Sequence, residues 1–263
     1  MIIFDKDRFL GHLDGQEKET GSRILDLAAQ AYEGNKPAYS DFLNPREQEI
    51  ATGIVRGTDF LAYYFDGGYS TAERRRLAVF PNYFPRERIE VPLKALAVTG
   101  TAEFTGVTHR DFLGAVLGCG IRREKVGDII LTDRGAQIVL APEVAVSVEN
   151  TLQSVQRVPA IANPIELEQL DVAPKQIKEI RTTVASMRLD AVAGAGFGTS
   201  RTQMVREIKR GTVRVNWQPV ENPAQEIQEG DILSIRGRGR VEVAEQMGLT
   251  RKGRIHLLLQ RYI

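Results

Sequence analysis

Cations gather near the C-terminus of this chain in a pattern that suits one kind of chemistry. Arg188, Arg201, Arg206, Lys209, Arg210, Arg214, Arg236 and Arg238 fall within a short stretch. A guanidinium fork matches the oxygens of a phosphate, and an ammonium supplies a point charge. The whole chain carries a net charge of only +1. Residues 181–263 nevertheless hold 14 Lys and Arg against 8 Asp and Glu, and residues 1–180 hold 21 against 26. A basic module on an acidic body implies a polyanionic partner for that module, with a solvated surface as the alternative.

The elements that must position these cations are legible. Ser200 is placed to N-cap a helix, with Gln203 as its capping-box partner and Gly211 at the C′ position. At about 100° per residue, Met204, Val205 and Ile208 share one face, and Arg206, Lys209 and Arg210 lie on the other side. Arg201 falls at the start of the apolar face. In the first turn it projects past the core, beside backbone N–H groups that favour an anion. Upstream, Leu189, Val192 and Ala193 have helical spacing, and the turn "GAGFG" is expected to end that helix. "TVRVNW" and "DILSIRG" alternate as short strands, with Arg214 and Arg236 at polar positions, and "RGRGR" adds arginines on flexible backbone. Two helices and a small sheet with this charge suit A-form RNA, which is gripped by shape and backbone more than by base edges.

The rest of the chain divides by pattern. Residues 1–87 read as a helical region. "SRILDLAAQAYEG" aligns Ile24, Leu25, Leu27, Ala28 and Ala31, and Asn44-Pro45 is an N-cap followed by proline at the first helical position. Ser70 and Glu73 are spaced as a capping box, which would put Arg74, Arg75 and Arg76 on a solvated helix face or against a phosphate backbone. Residues 88–165 give the order β-α-β-β-α-β of a ferredoxin-like, RRM-type domain. Its helices are "THRDFLGAVLG", with Thr108 and Asp111 spaced as a capping box, and "PEVAVSVENTLQSV"; its hairpin turns at Asp133-Arg134-Gly135, and "QRVPAIA" is a final edge strand. The central strands "ALAVTG" and "AQIVLA" carry no aromatics, so this sheet is not an ordinary base-stacking platform. Arg122, Arg123 and Lys125 in the loop "GIRREKVGD" offer a second RNA surface, or a merely soluble loop. Residues 166–180 read as a linker and residues 181–263 as the basic module. The fold class expected is α+β in three parts.

Other chemistries find little support. His109 in "THRD" is a formal candidate base, but only His12 and His256 accompany it, so metal binding is not expected and a helix-start role is. Cys119 is the single cysteine, in a Gly-Cys-Gly turn that does not mark it as an activated nucleophile. "GAGFGT" follows a helical segment and has Thr199 where a dinucleotide loop needs glycine. No cofactor is expected. No apolar run is long enough to span a bilayer, and the first residues lack a signal-peptide pattern, so the expected location is cytoplasmic.

A family pattern emerges from specific positions. Arg188-Leu189-Asp190, Gly196-Phe197, Ser200-Arg201, Ile208-x-x-Gly211-x-Val213-x-Val215-Asn216, Pro223 and Gly230-Asp231 resemble the S4-like RNA-binding domain. Trp217 stands where the general pattern has glycine. The forms "SMRLDAV", "VNW" and "RGRGR" resemble the YlmH family, including its cyanobacterial and plastid relatives named photosystem II S4 domain proteins. "THRDFLGAVLGCGIRREKVGDI" and "DGGYSTAERRRLAVFP" resemble that family's central and N-terminal regions, and the likeness is weakest over residues 1–65.

The resemblance implies a non-enzymatic RNA-binding protein of the ribosome. It points to the large subunit and tRNA during rescue of stalled ribosomes, and to cell division, with no DNA partner. By motif it implies RNA contact for Arg188, Ser200, Arg201, Lys209, Arg210 and Arg214, and Arg206, Asn216, Arg236 and Arg238 complete the candidate surface. Asp190 is expected to orient a neighbouring arginine, and Asn216 to fix the turn or touch RNA. Phe197 and Trp217 are expected to pack, with base stacking by Trp217 as the alternative. Two rival readings stand: an RNA-modifying enzyme that uses this module as a clamp, and an assembly factor linked to photosystem II or division.

Overall fold

The computed structural model describes residues 6–102, 104–173 and 177–262. The chain forms two compact units, Met1–Val172 and Ala173–Ile263.

In the first unit, α1 (Lys6–Leu10) and α2 (Gly15–Glu33) lead to β1 (Ala38–Leu43), α3 (Pro45–Arg56), β2 (Leu61–Asp66) and β3 (Arg75–Pro81). The α3 start follows its sequence closely. Asn44 Oδ1 accepts from the Glu47 N–H at 3.0 Å, the Asn44 N–H donates to Glu47 Oε2 at 2.7 Å, and Pro45 opens the helix. Ile24, Leu25, Ala28 and Ala31 of α2 are buried against Ile50, Ile54 and Val55 of α3.

The N-terminal region is not wholly helical. Its three strands form an antiparallel sheet in the order β1-β3-β2. Residues 70–74, expected as a helix start, are a turn that enters the central strand β3 at Arg75. That strand is buried on both faces. Leu77 and Val79 join the helical core, and Ala78 and Phe80 face a second core with Val139 and Ala141. A run apolar on both faces loses the alternation that marks a strand in sequence.

Arg74, Arg75 and Arg76 accordingly lie on no helix face, and each is bonded to backbone carbonyls. Arg74 donates to the carbonyls of Val126 and Phe42, each at 3.0 Å. Arg75 donates to Ala72 and Ser70, and Arg76, buried, donates to Ser40 and Pro92.

The middle of the first unit runs β4 (Lys94–Gly100), α4 (His109–Gly118), β5 (Val126–Thr132), β6 (Gly135–Leu140), α5 (Pro142–Thr151), β7 (Ser154–Val155) and β8 (Val158–Ile165). The sheet order β5-β6-β4-β8-β7, with antiparallel pairs, is the ferredoxin-like arrangement extended by a two-residue edge strand. Phe112 and Val116 of α4, and Ala145 and Val148 of α5, cover one face of it. Asp111 caps α4 by accepting from the Thr108 N–H at 2.8 Å and the Thr108 hydroxyl at 2.6 Å. At Gly135 the backbone has φ +146°, and a Cβ there would lie 2.1 Å from the Val98 carbonyl oxygen.

Of the segment expected as a linker, Leu167 and Leu170 pack on the first unit, and Gln137 bonds to Gln169 and Asp171. Residues 174–176 lie outside the described residues.

The second unit begins with β9 (Ile177–Val184), followed by α6 (Leu189–Phe197) and α7 (Arg201–Lys209). Then come β10 (Val213–Val215), β11 (Gln218–Pro219), β12 (Ile232–Ile235), β13 (Gly239–Leu249) and β14 (Ile255–Tyr262). The sheet is larger than the sequence suggested: six strands in the order β11-β10-β12-β13-β14-β9. Leu189, Val192, Phe197, Met204 and Ile208 pack on its inner face with Val213, Leu233, Val241 and Leu257. The glycines of "GAGFG" do not all follow α6. Gly194 and Gly196 lie inside it, and Gly198 closes it at φ +66°. Gly196 faces Val241 so closely that a Cβ would lie 2.6 Å from that side chain.

Candidate nucleic-acid interface

The site is built around one carboxylate. Asp190 sits in the first turn of α6, and its side chain is only 3% exposed. The loop from Pro223 to Ile227 folds over this helix start. The Asp190 N–H donates to Pro223 O at 3.1 Å and the Leu189 N–H to Gln225 O at 2.8 Å, while the Ile227 N–H returns a bond to Met187 O.

Two arginines converge on Asp190. Arg188 donates from Nε at 3.2 Å and from Nη2 at 2.9 Å, and Arg201, opening α7, donates from Nη2 at 3.1 Å. Their side chains remain 39% and 55% exposed. Burial alone would raise the Asp190 carboxyl, but the bonds from Arg188 and Arg201 outweigh it and hold the group below its ordinary value. The bond to Asp190 in turn raises Arg188. A buried anion thus fixes two cations whose outer faces stay wet, which suits a fork for an external phosphate.

The remaining cations are carried by the same unit. The Ser200 hydroxyl accepts from the Gln203 N–H at 3.3 Å, which starts α7 and places Arg201. Met204 and Ile208 are buried, and Arg206, Lys209 and Arg210 are exposed. Gly211, at φ +67°, ends the helix and lets the chain enter β10. Arg214 is exposed between inward-facing Val213 and Val215. It pairs across the sheet with Ser234, which pairs with Arg240. This row adds Arg240, which lies over the Tyr262 ring at 5.6 Å, to the outer face of the sheet. The alternation of "GRVEV" carried that signal. Arg236 and Arg238 are exposed on the β12–β13 turn.

Some sequence-predicted residues have other duties. Asn216 is spent on the turn, since its amide donates to Asp231 at 2.8 Å and accepts from the Ile232 N–H at 2.9 Å. Phe197 is core as expected, but Trp217 is half-buried and not among the side chains packed on that core. In the first unit, Arg123 donates to the Val126 and Gly127 carbonyls, and Lys125 bridges Asp41 and Glu143. Burial, then the Arg74 charge, lowers Arg123 to about 10. Arg122 of that loop is exposed.

Among the described residues no group of three His, Cys, Asp or Glu could hold a metal ion, and no helix is long and apolar enough to cross a membrane.

Residues 16–84 match the family model "YlmH, N-terminal", residues 87–170 match "Putative RNA-binding domain in YlmH", and residues 187–233 match "S4 domain". The chain is 33% identical over 250 residues to the ribosome-associated protein quality control protein P2 of Bacillus subtilis (strain 168), covering 95% of this chain and 97% of that one. A solved structure, the cell division protein ylmH from Streptococcus pneumoniae, shares the fold with a TM-score of 0.52 at 21% identity, over 61% of this chain and 98% of that one. Fold and matched segments define the class: an α+β protein with an S4 domain in its C-terminal unit. The chain belongs to the YlmH family.

Proposed function

We propose that this protein binds structured RNA on the ribosome without covalent chemistry or a cofactor. Ribosomal RNA and tRNA of the large subunit are its targets, in rescue of stalled ribosomes in the cytoplasm. The observation that carries this reading is the Arg188–Asp190–Arg201 fork beside the exposed cations of α7. The buried carboxylate orients two guanidiniums that stay 39% and 55% exposed, so each can still bond an external phosphate. The name of the Bacillus subtilis relative supports the ribosomal setting.

Crosslinking in living cells tests it. RNA recovered with the wild-type protein is sequenced and compared with RNA recovered with Arg201→Ala/Lys209→Ala. Discrete large-subunit and tRNA crosslinks that fall in the variant are expected. Absence of enriched RNA, or enrichment unchanged in the variant, overturns the reading.

A further inference from the structure

Trp217 occupies a backbone position that its side chain does not favour. It is the second residue of the two-residue turn between β10 and β11, after Asn216. Asn216 has φ +47° and Trp217 φ +65°. A tight hairpin turn with both central residues in the left-handed region prefers Asn-Gly. Asn216 meets the first preference, and its amide ties the turn to Asp231 and Ile232. At the second position the chain carries the bulkiest side chain in place of glycine. Backbone held in a disfavoured region by surrounding bonds is characteristic of functional sites.

The indole is half-buried but lies outside the C-terminal core. A tryptophan in a small domain ordinarily buries its ring in the core. The C-terminal core is assembled from Leu189, Val192, Phe197, Met204, Ile208 and their neighbours, and Trp217 is not among the side chains packed against it. What Trp217 does have beside it is a cation: Arg214 Nη1 donates to the Trp217 carbonyl oxygen at 3.3 Å. The indole and the exposed guanidinium thus belong to one turn, and an aromatic ring with a nearby cation is a combination that holds unpaired nucleobases, the ring stacking on the base and the cation meeting its phosphate.

From this we infer that Trp217 is a stacking platform for a single unpaired nucleobase in the bound RNA, with Arg214 on the adjoining phosphate. The inference rests on the RNA-binding reading above and deepens it. The preferred ligand is a helix interrupted by a bulged or looped-out base, not a continuous duplex.

Trp217 is the single tryptophan of the chain, so intrinsic emission reports on it alone. The full-length protein is titrated with an RNA stem-loop carrying one bulged adenosine, and with the same stem fully paired. Tryptophan emission and the anisotropy of end-labelled RNA are both followed. The bulged RNA is expected to quench the emission and to bind more tightly than the paired stem. Trp217→Gly should weaken binding of the bulged RNA about tenfold, leave the paired stem unchanged, and melt no lower than the wild type because glycine suits the turn. Trp217→Phe should stay within about threefold of the wild type, since a phenyl ring still stacks.

Binding of both RNAs with unquenched emission, or equal loss for both in Trp217→Gly, overturns the stacking and leaves the functional reading standing. A lower melting temperature for Trp217→Gly assigns the ring to packing and also overturns it. Failure of the wild type to bind either RNA at low salt removes the functional reading itself, and the stacking with it.

Discussion

Three guanidinium nitrogens reach the two oxygens of Asp190, and this small excess of donors sets the behaviour of the site. Arg188 lies two residues from Asp190, so its pairing was readable from the motif. Arg201 lies eleven residues away, across the α6–α7 turn, and only the fold brings it to the same carboxylate. The folded carboxyl is held below its ordinary value, so its contribution to stability is complete above the unfolded value of about 3.9. It is lost as pH falls through the lower, folded value. Melting of the protein should therefore show no loss from this group between pH 7 and 5, and a loss below about pH 4. Asp190→Asn should remove that acid-side component and cost about 1–2 kcal/mol at neutral pH, because the freed guanidiniums can turn to water. It should also weaken RNA binding while leaving every cation in place. Chemical denaturation across pH and a binding titration at pH 7 check both effects. An unchanged RNA affinity would show that Asp190 does not organise the fork.

Elements with local signals were legible, and elements defined by distant contacts were not. The Asn44 and Thr108 caps, the Asp133-Arg134 turn and the Ser200 start depend on residues within three or four positions of one another, and the fold has each of them. Strand β3 depends on two cores that meet only in the folded unit, so its apolar run with a Ser-x-x-Glu start looked helical. The same physics hid the roles of Arg74, Arg76, Arg123 and Lys125. The partners of Arg74, Arg76 and Lys125 are carbonyls and carboxylates far along the chain, those of Arg123 are carbonyls three and four residues on, and charge alone cannot tell such a cation from a free one. Glycines inside helices separate along this line too. Gly196 lets α6 approach β13, whereas a Cβ on Gly114 of α4 meets nothing within 4 Å. Gly114→Ala should stabilise the protein by about 0.5–1 kcal/mol through helix propensity. Gly196→Ala should cost about 1–3 kcal/mol by overpacking despite the same propensity gain. Denaturant midpoints for the two variants give the comparison, and a shift of the same sign in both would contradict this account of the α6–β13 contact.

At the scale of the whole molecule, charge is segregated along the chain: an excess of acid over residues 1–180 and an excess of base over residues 181–263. Binding dominated by phosphate neutralisation inherits a defined salt dependence from such a distribution, because each neutralised phosphate releases counterions. The measurement that tests the central claim most directly is the affinity of the full chain for a structured RNA stem-loop at a series of salt concentrations, set beside Arg201→Ala/Lys209→Ala. For about four to five phosphates the account predicts that log affinity falls against log salt with a slope of roughly −3 to −5. The double variant should be shallower by about 1–2, one for each phosphate contact removed. A wild-type slope near zero, or a slope the two substitutions leave unchanged, would contradict an electrostatic grip by the C-terminal unit.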